Sequence, residues 1–283
     1  MWNATADRRP GLVARCATDA DVVSALRFAR DSHLTVAVRG GGHSYPGFST
    51  CDDGVVIDLG AMRRVTVDAE ARIATVEAGA LLCDVELVSA DGRRVRASDD
   101  ENPELFWGLR GAGANFGIVT SFRFRLHPAG PDVVAGAAVW PAEQAQEVAD
   151  TFREWSVGAP DDSTAAFSLF LAGKEFGSDL AGRPIVVIAA VHLGDDVAVT
   201  RDLAAIRDLR PALDTFARLP YLSVQTASDD YYAWGRRNYW KGLLLKELPA
   251  DTITILINRV HAAPSALCGF GMITMGGAVA RIA

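Results

Sequence analysis

Alternation of apolar and polar residues divides the first half of the chain into short predicted elements. Thr18–Asp21 resembles a capping box, and apolar residues at helical spacing follow it, so a helix is predicted there. Asp91–Gly92 is a hairpin signal, and Asn102–Pro103 predicts a short helix with Asn as its N-cap and Pro at its first position. Short apolar runs predict strands at 36–38, 55–59, 65–67, 73–78, 85–90, 93–97 and 122–126.

Longer elements are predicted beyond His127–Pro131, a segment of Pro, Ala and Gly that has the composition of a boundary. Strands are predicted at 165–171 and 184–193, and helices from near Pro141, at 195–209 and at 249–262. Short strands mixed with helices, with little βαβ regularity, indicate the α+β class. We therefore expect two α+β domains, over 1–128 and 129–283.

Composition narrows the classes of function. The formal charge of −7 and the pI of about 5.3 argue against a nucleic-acid partner, and no apolar run is long enough to cross a membrane. No signal peptide is visible at the N-terminus. The four cysteines, at 16, 51, 83 and 268, form no Cys-x-x-Cys pair, and the five histidines are dispersed. Reduced thiols, a cytoplasmic location and no metal site are therefore predicted.

The glycine-rich sequence Arg39-Gly40-Gly41-Gly42-His43-Ser44-Tyr45-Pro46-Gly47 follows a predicted strand. Glycines there allow positive φ and remove each Cβ that would hold a ligand away, so free amide groups can bind a phosphate or pyrophosphate. Arg39 adds a positive charge and His43 a nucleophilic nitrogen. The alternative is a tight loop in which His43 bonds its own backbone. Neither a P-loop nor a nicotinamide fingerprint is matched, because Tyr45 stands where the latter needs glycine.

A second glycine cluster spans 110–120, between the predicted short helix and the strand that follows. Phe116 occupies the place of the third glycine of a dinucleotide fingerprint, so this segment is not a nicotinamide site either. It can be a helix C-cap followed by a tight turn. A second interpretation is a binding site for a long diphosphate cofactor, which must approach the backbone at more than one point. The presence of two glycine clusters in one domain favours this interpretation.

These segments resemble the berberine-bridge-enzyme-like FAD-linked oxidases, which belong to the PCMH-type, or vanillyl-alcohol-oxidase, flavoprotein group. The matching motifs are 39–47, Val-Ile-Asp-Leu at 56–59, 101–107 and 110–120, with further landmarks at 239–241 and 276–281. The resemblance implies FAD, a PCMH-type FAD-binding domain and then a C-terminally incomplete substrate domain with an antiparallel sheet. It implies that His43 is linked to the flavin 8α-methyl group. The implied cofactor-binding residues are Arg39, Gly40, Gly41, Gly42, His43, Ser44, Gly47, Gly113, Asn115, Phe116, Gly117, Ile118 and Val119.

The sequence also departs from this family. In the family a helix and a glycine-rich segment separate two strands that only residues 80–84 join here. We interpret Cys83 as a turn residue rather than as a second residue that attaches the flavin. The chain looks like a member shortened at its N-terminus, near 80–84 and at its C-terminus, where the family's usual tyrosine base lies. The catalytic residues and the oligomeric state are therefore not predicted.

A polar and aromatic cluster at 229–241 can line a substrate pocket, where a cation near a tyrosine would lower the pKa of the phenol. The favoured alternative is a surface loop whose aromatic residues anchor it to a sheet. The predicted function is an FAD-dependent oxidoreductase that acts on a small-molecule alcohol or amine, with O₂ as electron acceptor. The alternative is a non-catalytic remnant that binds flavin weakly or not at all.

Overall fold

The chain divides into two units in the computed structural model. The first consists of Met1–Pro128 and Asp229–Gly242, and the second of Ala129–Ser228 and Leu243–Ala283. The structure describes residues 2–78, 84–111, 116–127, 129–245 and 249–273. Residues 229–242, which the sequence analysis assigned to the second domain, therefore pack with the first unit. The physical reason is a set of hydrogen bonds and ring contacts made by this segment, described with the site below.

A small parallel sheet positions the glycine loop in the first unit. Its strands are β1 (Leu12–Arg15), β2 (Val36–Arg39) and β3 (Val55–Asp58), in the order β1-β3-β2. The central strand β3 is buried along its whole length: Val55, Val56 and Ile57 form its apolar part, and the charged Asp58 at its end is buried as well. Helix α1 (Asp19–Asp31) buries Val22 and Ala29 in the core beside this sheet.

The start of α1 confirms the predicted capping box. The Thr18 hydroxyl accepts a hydrogen bond from the Asp21 amide at 3.2 Å, and the Asp21 carboxylate accepts one from the Thr18 amide at 2.9 Å. Asp thus serves in the place usually taken by Glu, and two amide groups at the helix N-terminus are satisfied by side chains.

An antiparallel sheet completes the strands of the first unit, in the order β4-β5-β8-β6-β7. Its strands are β4 (Val65–Asp68), β5 (Ile73–Glu77), β6 (Asp84–Val88), β7 (Arg94–Ala97) and β8 (Ile118–Arg125). The predicted hairpin is present, but its loop is longer than two residues. The Ser89 amide bonds the Arg93 carbonyl and Gly92 has φ +82°, which closes a three-residue loop.

Helix α2 (Pro103–Leu109) lies between β7 and β8 and corrects one detail of the prediction. Pro103 is the first helical residue, as expected, but Asn102 makes no capping hydrogen bond and adopts a left-handed conformation with φ +53°. Its side-chain amide instead donates to the Arg96 carbonyl at 2.7 Å. Asn tolerates this backbone conformation better than most residues, so the residue type suits the position although its predicted role as a cap is wrong.

The second unit is an antiparallel sheet with helices packed on it. The strands follow the order β12-β9-β11-β10-β14, and β13 also pairs with β9. They are β9 (Asp132–Pro141), β10 (Ser163–Leu171), β11 (Pro184–His192), β12 (Leu213–Asp214), β13 (Ala217–Pro220) and β14 (Gly269–Ile273). The helices are α3 (Ala145–Val157), α4 (Asp196–Asp202), α5 (Ala204–Asp208), α6 (Tyr221–Thr226) and α7 (Ala250–His261). The predicted helix at 195–209 is thus broken into α4 and α5, with Leu203 between them.

A buried polar group joins this sheet to α4. His192 is 2% exposed, its Nε2 lies 2.9 Å from Oδ2 of Asp202, and its Nδ1 accepts a hydrogen bond from the Gly194 amide. Arg201 donates to both oxygens of the same carboxylate. The pKa of Asp202 is lowered to about 2, chiefly by the hydrogen bond from Arg201; burial opposes this shift, and the hydrogen bond with His192 adds to it.

Candidate functional site

The glycine loop leaves the carboxyl end of β2, where the Leu59 amide still bonds the Arg39 carbonyl at 2.8 Å. Gly42 is buried and has φ +70°, a conformation that favours glycine. Among the residues that the structure describes, the amide groups of 40–45 donate no hydrogen bond. A row of amide donors without protein acceptors is the arrangement that binds a phosphate group.

The His43 side chain is exposed, and it packs between two indole rings. Its ring centroid lies 6.0 Å from that of Trp2 and 5.2 Å from that of Trp234. A Cβ on Gly41 would come within 3.0 Å of the His43 Cδ2, so glycine leaves the room that this ring occupies. Within the described part of the chain, neither ring nitrogen has a hydrogen-bond partner. The alternative in which His43 bonds its own backbone is therefore not what the structure shows.

Arg39 is engaged by an acid that the sequence analysis did not single out. Its Nη2 lies 3.0 Å from Oδ2 of Asp58, and its Nε lies 3.4 Å from Oδ1. The Asp58 side chain is 7% exposed and also accepts the Gly60 amide. This pairing fixes the plane of the guanidinium group and neutralises part of its charge, while its remaining donors stay available to a ligand.

The second predicted segment is described from Phe116 onward, and Gly113 and Asn115 lie outside the described residues. The Phe116 ring packs on Gly108, where a Cβ would come within 2.9 Å of it. Ile118 is buried in the core that contains Ile57, and Val119 packs against the smaller cluster of α2 and β7. Within the described residues 116–119 these side chains contribute to the packing of the fold, and the backbone can still meet a ligand.

Ala78 lies between the two predicted segments. A Cβ on Gly40 would lie 3.1 Å from the Ala78 carbonyl oxygen, and the Ala78 amide donates to the Thr120 carbonyl at 3.0 Å. The glycine loop and the first residues of β8 thus flank the end of β5. Gly40 and Ile118 are therefore brought into one neighbourhood, although 78 residues separate them in the sequence.

Residues 2–4 run between the glycine loop and the segment 229–242. The Trp2 amide donates to the Gly42 carbonyl, while the Trp2 carbonyl accepts the Gly235 amide, both at 3.1 Å. The Trp2 indole N–H donates to the Tyr232 carbonyl. The aromatic residues of 229–242 therefore anchor it to residues 2–4 and to the glycine loop, and not to a sheet as the sequence alternative supposed.

Asn3 connects the same three segments with its side chain. It is 2% exposed; its amide group donates to the Tyr45 carbonyl at 2.9 Å and to the Asn238 carbonyl at 3.0 Å. Its carbonyl oxygen accepts the amides of Asn238 and Thr5. Sequence reasoning missed Asn3, because no local pattern points to partners that are 42 and 235 residues away in the sequence.

Tyr232, in this region, is not activated as a base. Burial, followed by the neighbouring Tyr231 and Tyr45, raises the pKa of Tyr232 above its ordinary value. Its proton is therefore held more firmly than in water, contrary to the expectation of a cation that lowers it. A groove of about 700 Å³ opens beside these residues, with Arg8, Asp52 and Trp240 among those that line it.

The described residues contain no group of three or more His, Cys, Asp and Glu side chains placed to hold a metal ion. No helix in the described ranges has the length and apolarity needed to span a membrane. Cys16, Cys51 and Cys268 are free thiols.

Comparison with known proteins places this geometry in context. Residues 10–98, which include the glycine loop, match the family described as FAD binding domain. The chain is similar to proteins named as FAD-linked oxidoreductases and oxidases. It is 26% identical to an FAD-linked oxidoreductase of Dictyostelium discoideum over 98% of this chain and 70% of that protein. It is 28% identical to (R)-6-hydroxynicotine oxidase of Paenarthrobacter nicotinovorans over 85% of this chain and 62% of that protein.

Solved structures support the same relationship. The fold is similar to 6-hydroxy-D-nicotine oxidase from Arthrobacter nicotinovorans, with a TM-score of 0.70 and 25% identity over 83% of this chain and 62% of that one. It is also similar to the Physcomitrella patens BBE-like 1 protein, with a TM-score of 0.74 and 20% identity over 93% of this chain and 69% of that one. The predicted family resemblance, the α+β fold of PCMH type and the FAD cofactor are confirmed.

The chain spans about two thirds or less of the length of these relatives. The alignment with the Dictyostelium protein extends over 329 positions, although this chain has 283 residues. Positions present in the relative are therefore absent from within this chain. This observation agrees with the internal shortening expected near 80–84, although residues 79–83 lie outside the described part of the structure.

Proposed function

We propose that this protein is an FAD-dependent oxidoreductase of the oxidase type. The reaction would pass a hydride from an alcohol or amine carbon of a small-molecule substrate to the flavin, and the electrons then to O₂. One observation supports it most directly: the described residues offer no hydrogen-bond partner to the amides of the glycine loop or to the two nitrogens of the neighbouring imidazole, and the loop lies in a region that matches FAD binding domains.

The residues of the loop fit this cofactor. Gly40, Gly41 and Gly42 leave no Cβ between a pyrophosphate and the amides, and Arg39 is held in one plane by Asp58. We assign Ser44, Gly47 and residues 116–119 to the same site, together with Gly113 and Asn115. The flavin supplies the redox chemistry, and the protein supplies binding, orientation and exclusion of water.

His43 is assigned as the residue that holds the flavin covalently. Two features support this assignment: the exposure of the ring, and the absence of any hydrogen bond to it from the described chain. A nitrogen already engaged by a protein donor would not be free to act as a nucleophile.

The substrate is proposed only as a small organic molecule. The relatives named above include a hydroxynicotine oxidase, and a xylooligosaccharide oxidase of Thermothelomyces thermophilus is 26% identical over 86% of this chain. The groove beside Tyr45 and Trp240 offers exposed aromatic faces and the carboxylate of Asp52, which suit either an amine or a sugar. A cytoplasmic location, proposed from the unpaired cysteines, belongs to the same hypothesis.

Flavin uptake tests the proposal first. The purified full chain is mixed with FAD or NAD, and we expect FAD to be retained in preference, with part of it resistant to acid precipitation. His43→Ala should abolish the acid-resistant fraction without changing the unfolding transition. Acid-resistant flavin in His43→Ala would assign the anchor to another residue. Absence of flavin uptake by the wild type would favour the alternative of a non-catalytic remnant.

Turnover is tested separately. The flavin-loaded protein is mixed anaerobically with a panel of alcohols, sugars and amines while the flavin absorbance is followed. We expect slow bleaching, because catalysis needs substrate, flavin and base held in register, and Tyr232 in the 229–242 segment has a raised pKa and so is a poor base. Bleaching at about 1 s⁻¹ or faster, typical of working enzymes, would show that the residues present suffice.

A further inference from the structure

Two tryptophans from opposite ends of the first unit's sequence enclose the His43 ring. Trp2 lies nearly parallel to it, with 29° between the planes, and Trp234 meets it edge to face at 69°. Gly41 lies against the Cδ2–Nε2 edge, 3.0 Å from Cδ2 and 3.7 Å from Nε2 as measured from an added Cβ. We call Trp2 and Trp234 the aromatic clamp.

The clamp is held in place by bonds that do not involve His43. The backbone of Trp2 is bonded to Gly42 on one side and to Gly235 on the other, and its indole N–H bonds the Tyr232 carbonyl at 2.6 Å. Trp2 is 5% exposed, so this anchor is part of the core of the first unit. Trp234 is 60% exposed and rests on the glycine loop, where an added Cβ on Gly42 would lie 3.7 Å from its Cη2.

A histidine is usually oriented by a hydrogen bond to one of its nitrogens, which fixes both the ring plane and the tautomer. The described residues give His43 no such bond, so packing alone fixes its plane. Packing has a chemical advantage here, because it orients the ring without occupying either lone pair or either N–H group.

We propose that Trp2 and Trp234 are positioning residues for His43: they hold its imidazole in the orientation from which a ring nitrogen attaches the flavin. The proposal rests on the proposed function. Attachment joins the nitrogen to the 8α carbon, and one hydrogen is lost from each atom. The two electrons released reduce the flavin, and O₂, the acceptor of the proposed oxidase reaction, takes them up with the two protons as H₂O₂.

The orientation itself is tested without any flavin. In the full chain labelled with ¹³C-histidine, the His43 Cε1–H resonance should carry a ring-current shift from the two indoles. Trp234→Ala should move this resonance toward its value in an unstructured peptide, and Trp234→Phe should retain much of the shift. Trp240→Ala is the matched control, because Trp240 contacts Tyr45 and Tyr232 but makes no ring contact with His43.

The consequence is tested by the rate at which acid-resistant flavin accumulates. A misplacement of the reacting atom by about 1 Å lowers a reaction rate on the order of a hundredfold. A smaller displacement of the His43 nitrogen should therefore still slow attachment by about tenfold or more. We therefore expect Trp234→Ala to slow attachment at least tenfold while non-covalent FAD binding is unchanged, with Trp234→Phe restoring it. Because Trp234 is largely exposed, its replacement should leave the unfolding temperature unchanged. Trp2 is buried, so Trp2→Ala is expected to lower the stability of the fold and is not used for this test.

The outcomes separate the two proposals. A His43 resonance that is equal in the wild type and Trp234→Ala overturns the aromatic clamp. A changed resonance with an unchanged attachment rate overturns its role in flavin attachment. If the wild type takes up no flavin, the proposed function fails and the resonance alone decides whether the clamp orients the ring.

Discussion

Asn3 offers the sharpest test of how the site is assembled. Its side chain makes four hydrogen bonds, to Tyr45, Asn238 (twice) and Thr5, at 2.9 to 3.2 Å. Asn3→Ala removes all four and leaves their partners in a half-buried setting. A net hydrogen bond contributes about 0.5–1.5 kcal/mol, so the loss is between about 2 and 6 kcal/mol, and we take the lower end because water reaches Tyr45 and Asn238.

This loss should appear as local opening of 229–242 rather than as global unfolding, because Asn3 bonds only the backbone of these segments. About 2 kcal/mol corresponds to a roughly 30-fold larger open population. Arg236 and Arg237 are exposed trypsin sites within the segment. Cleavage there should accelerate by the same factor, since proteolysis follows the open population when closing is fast.

Asn238→Ala is the matched control. The Asn238 side chain makes one long bond, 3.3 Å to the Arg236 carbonyl, while its backbone groups, which Asn3 binds, are kept in the variant. Its cleavage rate should therefore change by less than about threefold, as for other surface substitutions. If Asn3→Ala is cleaved no faster than Asn238→Ala, the segment is held by its aromatic contacts and the argument from hydrogen bonds is wrong.

Two further predictions concern stability. In thermal melting, Gly47→Ala should destabilise the first unit far more than Gly182→Ala destabilises the second. Both glycines have φ near +78°, so the backbone strain of the substitution is similar. At Gly47 the added Cβ would also lie 2.6 Å from the Cβ of Ala6, whereas at Gly182 it would meet no atom within 4 Å. Equal losses would show that backbone strain alone matters. The carboxylate of Asp202 has its pKa lowered to about 2, so it stabilises the folded state above its ordinary pKa of 3.8, and this contribution is lost as the pH falls from about 4 toward 2. Urea unfolding should therefore give Asp202→Asn a lower free energy of unfolding than the wild type at pH 6. Between pH 4 and pH 2 the variant should lose less of this free energy than the wild type. Parallel plots of the free energy against pH would contradict the prediction.

Local pattern was enough to predict several elements of the fold. The capping box at Thr18, the apolar run Val55–Ile57 of β3 and the glycine loop after β2 each depend on residues close together in the sequence. Their conformations are set by nearby sterics and hydrogen bonds, which the sequence displays directly. The break between α4 and α5 at Leu203 depends on packing in the second unit, and periodicity alone did not show it.

Long-range partners were beyond the sequence analysis. Asn3 and Asn238 are 235 residues apart, and Trp2 meets Tyr232 across a separation of 230. No local pattern distinguishes a tryptophan that packs on a histidine from one that packs in a core. Asp58 was visible as part of a motif, but its pairing with Arg39 depends on the parallel register of β2 and β3, which aligns Arg39 with Asp58.

The discontinuous first unit has a consequence for biosynthesis. Its sheets use residues before 128, but Trp2 and Asn3 find part of their partners in 229–242. At about 5–20 residues per second, residue 238 is made roughly 10–40 s after residue 45, a long time compared with the formation of a local helix or hairpin. During this interval Trp2 lacks its bonds to Gly235 and Tyr232, and Asn3 lacks its bonds to Asn238. The contacts that join residues 2–4 and the glycine loop to 229–242 are therefore among the last of the first unit that can form during synthesis.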